Sequence, residues 1–172
     1  VMIYAGAHIS GAHYNPAVTI SIWIRGACEK SEVVPYALSQ LAAGLLAALI
    51  AANLIVTGSI SEDYPIEMFE PSGMETSIIV SEILFTFALV FVILNVATSE
   101  STEGNGYYGA AIALVVLAGG LTVGSISLAS FNPAVSLSLV VVGKMAAADL
   151  WLHLVPQLFG AGAASLVFNW NT

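Results

Sequence analysis

One segment of this sequence occurs twice, 117 residues apart, and each copy is set among long apolar stretches. Residues 10–22 read SGAHYNPAVTISI and residues 127–139 read SLASFNPAVSLSL, with seven of thirteen positions identical. A single Asn-Pro dipeptide usually indicates only a turn. Two copies in matched apolar surroundings indicate an internal structural repeat, so the fold must contain two equivalent elements.

Each copy has the sequence of a helix start. Asn15 and Asn132 are favourable N-caps, and the prolines that follow suit the first helical position, where an N–H would lack a partner. The predicted helices cover residues 16–24 and 133–143. At 1.5 Å per residue each covers roughly 14–17 Å, about half of a ~30 Å hydrocarbon core. Neither crosses a bilayer alone, but two that meet end to end would.

The composition predicts a membrane protein. Of the 172 residues, 58% are hydrophobic and only 8% are charged, whereas a soluble domain carries about a quarter charged residues. Four segments have roughly the 20 apolar residues that a spanning helix needs: residues 33–56, 76–97, 107–129 and 150–170. Glu82 is the only Asp, Glu, Lys or Arg within them. Residues 1–9 are apolar but too short to span, and we interpret them as the end of a truncated helix.

Three spans separate the two copies, so the second half-helix is expected to enter from the opposite face. Such inverted repeats direct the N-termini of broken helices at a site near the midplane. The predicted fold class is therefore an all-α membrane protein, with four full spans and two re-entrant half-helices. For orientation, Arg25 and Lys30 favour a cytoplasmic location, the acidic segment 59–75 lies outside, and Lys144 falls on the outer side.

Several function classes are disfavoured by the sequence. A net charge of -8 provides no basic surface for nucleic acid. A single cysteine, Cys28, excludes an intrachain disulfide, and no Cys/His cluster has metal-ligand spacing, so neither metal nor cofactor is predicted. A secondary transporter could also use inverted repeats, but it would need coupling groups near the midplane. A membrane enzyme would need a nucleophile with its base, or a metal cluster, which the Asn-Pro-Ala pair does not provide.

A set of motifs carries a resemblance to the aquaporins, the major intrinsic proteins, over essentially the whole chain. They are SGAHYNPAVT at residues 10–19, Gln40, Gly44, Glu82, FNPAVSL at 131–137 and LVP at 154–156. The resemblance implies a six-span bundle, a homotetramer with one pore per subunit, and a passive channel for water or small uncharged solutes. On that pattern residues 1–172 form one channel domain that lacks the first span and most of the second. The cell or plasma membrane is the expected location.

The resemblance also assigns roles to residues. The two asparagines are expected to donate from their amides to solutes at the pore centre, which reorients the file of waters and obstructs proton transfer. The pore motifs are Asn15, Pro16, Ala17, Asn132, Pro133 and Ala134. The backbone carbonyls expected along the pore are those of Gly11, Ala12, His13, Leu128, Ser130 and Phe131. Glu82 is expected to accept hydrogen bonds from the backbone of the second re-entrant loop, with a proton relay as the alternative.

The outer constriction departs from the pattern of the family. Most aquaporins carry Arg immediately after the second Asn-Pro-Ala, and here that residue is Val135. Gly120 and Ala129 occupy two further constriction positions, and together the three predict a wide, weakly polar mouth that passes glycerol, urea or ammonia. Ser136 argues mildly against glycerol, because glycerol-conducting relatives usually have Asp there. His8 and His13 either gate the inner mouth or brace its loop, and His153 is assigned to packing.

Overall fold

The computed structural model describes residues 1–55 and 66–171, and this part of the chain contains seven α-helices. They are α1 (Met2–Ser10), α2 (Pro16–Arg25), α3 (Lys30–Ile50), α4 (Glu75–Ala97), α5 (Tyr108–Ser127), α6 (Pro133–Val141) and α7 (Trp151–Asn171). Helix α3 continues as π-helical turns over Ala51–Ile55, and short 3₁₀ turns cover Glu100–Thr102 and Ala147–Asp149. Residue 56, which ends the first predicted span, and residues 59–65 of the acidic segment 59–75 lie outside the described residues.

Four helical segments are long and apolar enough to cross a bilayer. They are Lys30–Leu54, Glu75–Ala97, Tyr108–Ser127 and Ala147–Asn171. Their bounds agree with the four predicted spans to within a few residues, and the predicted all-α fold class is confirmed. Residues 1–9, interpreted as the end of a helix, lie largely within α1.

The two half-helices begin where the sequence predicts and end close to the expected residues. Helix α2 ends at Arg25 because Gly26 has a left-handed backbone with φ of 87°, and its N–H donates to the carbonyl of Trp23. Helix α6 ends at Val141, two residues earlier than predicted. Gly143 follows with φ of 78°, a conformation that does not continue a helix. Both half-helices are therefore too short to span a bilayer alone.

The halves of the chain interlock. Half-helix α2 packs against α7, and half-helix α6 packs against α3, so each contacts the span that follows the other half-helix. Small residues allow both contacts: a Cβ at Gly44 would lie 3.1 Å from the carbonyl oxygen of Ala134, and the hydroxyl of Ser21 donates to Ala161 at 3.1 Å. The broadest contact joins α4 and α7. Apolar residues of α2, α4 and α7 form the centre of the core.

The single cysteine offers a test of the predicted orientation. Cys28 is half-buried between α2 and α3, and burial, with the nearby Glu32 and Glu29, raises the pKa of its thiol. We expect a membrane-impermeant maleimide to label Cys28 only after cells are permeabilised. Because the thiolate is the reactive form, a raised pKa makes labelling slow at neutral pH, and the rate should rise about tenfold per pH unit until the pKa is approached.

A matched control uses the opposite side of the protein. Glu70 is exposed before α4, and a Glu70→Cys substitution in a Cys28→Ser background should be labelled in intact cells. Labelling of Cys28 in intact cells, together with no labelling at position 70, would show that the orientation is the opposite of the predicted one.

Candidate functional site

The two repeated asparagines form a reciprocal pair at the meeting point of the half-helices. The Nδ2 group of Asn15 donates to the carbonyl of Phe131 at 2.8 Å, and that of Asn132 donates to the carbonyl of Tyr14 at 2.9 Å. Each side-chain oxygen caps its own helix, accepting from Ala17 N–H or Ala134 N–H at 2.9 Å. An amide nitrogen carries two hydrogens. Each asparagine therefore keeps one donor for a further partner.

The backbone before each asparagine repeats the same strained conformation. Ala12 and Tyr14 have φ of 51° and 48°, and their equivalents Ala129 and Phe131 have 47° and 46°. Left-handed backbone at a residue with a side chain costs roughly 1–2 kcal/mol. Gly11 and Leu128, at φ of 71° and 59°, complete the match. This strain persists because the surrounding hydrogen bonds fix both loops, and it turns the peptide groups away from helical directions.

Glu82 fixes the second of these loops. Its side chain is fully buried in α4 and accepts hydrogen bonds from the N–H groups of Ser130, at 3.2 Å, and Phe131, at 2.9 Å. The hydroxyl of Ser127 and the amide of Gln157 also donate to it, each at 2.7 Å. All four partners donate, as an acceptor-only carboxylate requires. Two of the four donors belong to the backbone of the second loop, and the four together leave little capacity for a proton relay.

A cavity of about 920 Å³ extends from the two asparagines towards the segment between α4 and α5. Asn15, Asn132 and the first loop, including Gly11, Ala12 and His13, line its inner end. Its sides are apolar residues of α2, α4 and α5, among them Val18, Leu89, Ile93 and Ile112. Glu100 and Glu103 lie in its wall near the connection to α5. The site thus combines an apolar passage with amide donors at its end.

The second set of expected pore residues lies elsewhere. Leu128, Ser130 and Phe131 are not part of the wall of this cavity. The carbonyl of Phe131 is occupied by Asn15, and Ser130 is buried against Ser136. The three residues of the expected outer constriction, Gly120, Ala129 and Val135, also lie outside the cavity wall. Val135 is 42% exposed, and the constriction stays a prediction.

The histidines differ in their surroundings. His13 contacts the hydroxyl of Thr19 through Nδ1 at 3.2 Å and lies 4.8 Å from the ring of Tyr36, an arrangement that braces the first loop. His8 is exposed on α1. His153 is fully buried, and its Nε2 donates to the carbonyl of Ser127 at 2.9 Å. The sequence suggested only packing for His153, because nothing near it in the chain identifies a carbonyl on the distant α5 as its partner.

Sequence reasoning missed Gln157, whose amide contacts Glu82, Ser130 and Ser136. A signal for it was present, since Gln157 lies 117 residues after Gln40, the offset of the repeat. The sequence comparison of the two copies covered only the half-helices and did not include the spans that follow them, where Gln40 and Gln157 lie.

These features define a class: an inverted-repeat helical membrane protein in which two half-helices meet at paired asparagine caps. The chain belongs to the major intrinsic protein family, which matches residues 1–168. It is accordingly an integral, multi-pass membrane protein.

The chain is similar to plant and bacterial members of the family. It is 34% identical to aquaporin NIP1-4 of Oryza sativa subsp. japonica and 35% identical to aquaporin NIP1-1 of Zea mays, in each case over 98% of the chain. It spans 59% and 58% of the lengths of these two relatives. Aquaporin Z of Photorhabdus laumondii is 33% identical over 92% of the chain and 72% of its own length.

A solved structure shares the fold. The aquaglyceroporin from Plasmodium falciparum superposes with a TM-score of 0.80 over 97% of this chain and 75% of its own, at 24% sequence identity. This similarity supports the arrangement of the helices.

Proposed function

We propose that this chain forms part of a passive transmembrane channel for water and small uncharged solutes. The observation that carries the proposal is the reciprocal asparagine pair at the end of the 920 Å³ cavity. Each pore asparagine donates one amide hydrogen to the other loop, and its second amide hydrogen remains available to a solute oxygen. The relatives named aquaporins support the same class of activity.

The charge distribution at the pair favours neutral solutes. Two helix N-termini converge there, each equivalent to roughly half a positive charge. In a narrow passage of low dielectric constant this field opposes protons and other cations. A water that accepts from the asparagines must direct its own hydrogens away from the centre. The file of waters is thereby reoriented, which obstructs proton transfer.

The contacts of Glu82 argue against a coupled transporter. A coupled transporter would need, within the four described spans, a carboxylate that is free to bind an ion or a proton. Glu82 is buried and accepts from four donors that belong to the protein itself. Flux through this protein should therefore follow the solute gradient and ignore ion gradients.

For selectivity, we propose that solutes larger than water also pass. Gly120, Ala129 and Val135 offer neither bulk nor a fixed charge at the predicted outer mouth, so glycerol, urea and ammonia meet no strong barrier there. We also propose the homotetramer and the cell membrane expected for the family. Helices α3 and α5 expose many large apolar side chains, which lipid or neighbouring copies would cover.

A liposome assay tests both the proposed channel activity and the proposed passage of solutes larger than water. The protein, expressed from its complete gene, should raise the rate of osmotic shrinkage in light-scattering measurements above that of protein-free liposomes, with no effect of an ion gradient. Glycerol and urea should then enter and reswell the liposomes. Exclusion of both solutes by a water-conducting protein would contradict the wide mouth, and dependence on an ion gradient would contradict the channel.

A further inference from the structure

The amide of Gln157 occupies a buried position between α4, α6 and α7. The side chain has no exposed surface, and its Nε2 lies 2.7 Å from Glu82 Oε2, 2.9 Å from Ser136 Oγ and 3.0 Å from Ser130 Oγ. A carboxylate only accepts hydrogen bonds, so the nitrogen of the amide must face Glu82. The orientation of the amide is therefore fixed by its surroundings.

The two hydrogens of the Gln157 amide connect Glu82 to the two serines. The amide has two hydrogens; one goes to the carboxylate of Glu82, and the other is left for the serine pair. The hydroxyls of Ser136 and Ser130 lie 3.2 and 3.3 Å from the carbonyl of Asn132 and also contact each other, so one hydroxyl donates to the carbonyl and the other donates to the first hydroxyl. A continuous path of hydrogen bonds thus runs from the carboxylate through Gln157 and the serines to the backbone of the pore asparagine.

The first half of the chain contains the part of this path that runs from the amide to the asparagine. Gln40 Nε2 donates to Thr19 Oγ1 at 3.0 Å, and Thr19 donates to the carbonyl of Asn15 at 3.2 Å. The three pairs Gln40 and Gln157, Thr19 and Ser136, and Asn15 and Asn132 are each separated by 117 residues. The backbones of the two asparagines agree to within a few degrees, at φ of -157° and -156°. Equivalent amides in the two halves therefore hold equivalent asparagines.

We propose that Gln157 is a positioning residue for the pore centre. It holds the carbonyl of Asn132 through the serine hydroxyls, while Ala134 N–H holds the side-chain oxygen of Asn132. Because both the backbone carbonyl and the side-chain oxygen of Asn132 are held, the remaining amide hydrogen of Asn132 points in one direction, towards the passing solute. Gln40 does the same for Asn15. This inference rests on the proposed function, because the asparagine matters only if solutes pass it.

The test uses a double-mutant cycle in the protein expressed from its complete gene. Gln157→Met keeps the length of the side chain and removes the donor, and Ser136→Ala removes the next group in the path. Gln157→Met should lower water permeability per folded copy in liposomes about fivefold, the factor that corresponds to one net hydrogen bond. Ser136→Ala leaves the connection through Ser130 and should lower the permeability by a smaller factor. The double variant should lose no more than Gln157→Met alone, since Ser136 is one of the two hydroxyls through which Gln157 acts.

Controls separate positioning from a general effect on folding. Leu158→Ala changes an exposed neighbour of Gln157, 44% exposed, and should leave the permeability unchanged. Ser136→Thr keeps a hydroxyl at position 136 and introduces the residue that the first half has at the equivalent position, Thr19. It should retain more permeability than Ser136→Ala. If Gln157→Met does not fold, equal permeability of these two Ser136 variants would overturn the proposal.

The outcomes also distinguish this inference from the proposed function. An unmodified protein with no permeability above protein-free liposomes overturns both. A conducting protein in which Gln157→Met matches the parent per folded copy, or in which the two losses multiply in the double variant, overturns the positioning role alone.

Discussion

Replacing Glu82 by leucine is expected to abolish solute permeability and to lower the free energy of unfolding by about 2–6 kcal/mol. The estimate counts only the buried N–H groups of Ser130 and Phe131, which lose their acceptor at about 1–3 kcal/mol each. Permeability falls because the carbonyl of Phe131, which holds Asn15, moves with the loop. Unfolding in detergent and liposome light scattering measure the two effects.

Two controls locate this effect at the carboxylate. Glu82→Gln retains one acceptor oxygen but places an NH₂ group against donors, so it should recover only part of the stability. Glu75→Gln changes an exposed acid in the first turn of the same helix and should cost less than about 1 kcal/mol. A Glu82→Leu variant as stable and permeable as the parent would show that the loop does not depend on this side chain.

Gly160→Ala is expected to separate α7 from α4 and to destabilise the fold by about 3 kcal/mol, the upper end of the usual cost of overpacking. A Cβ at position 160 would overlap the carbonyl oxygen of Ile83 and would lie 3.1 Å from the backbone nitrogen of Phe87. Both obstacles are backbone atoms of α4, which cannot move aside as a flexible side chain can. Denaturant titration in detergent measures the change.

Gly162→Ala is the matched control for this substitution. It lies two residues further along α7, and a Cβ there would meet no atom within 4 Å. Alanine should therefore stabilise the helix at position 162 by up to about 1 kcal/mol. Equal effects of the two substitutions would contradict the close contact of α4 and α7.

The spans and the half-helices could be predicted from the sequence because their causes are local. A run of apolar residues long enough to cross a bilayer specifies a helix regardless of its neighbours. An asparagine cap followed by proline specifies where a helix begins, and both α2 and α6 begin at the expected proline. The repeat at an offset of 117 residues added that the two half-helices are equivalent, and the resemblance indicated that a buried acid supports the second loop.

The tertiary structure decided which groups meet. The hydrogen bonds of Asn15 and Asn132 join residues 116 and 118 positions apart, and they form only because α2 packs on α7 and α6 packs on α3. Gln157 and His153 look like ordinary polar residues of a span until packing brings Ser136 and the carbonyl of Ser127 to them. A local pattern can place a polar group on a helix. Only the packing of distant helices can supply the partner that makes its burial favourable.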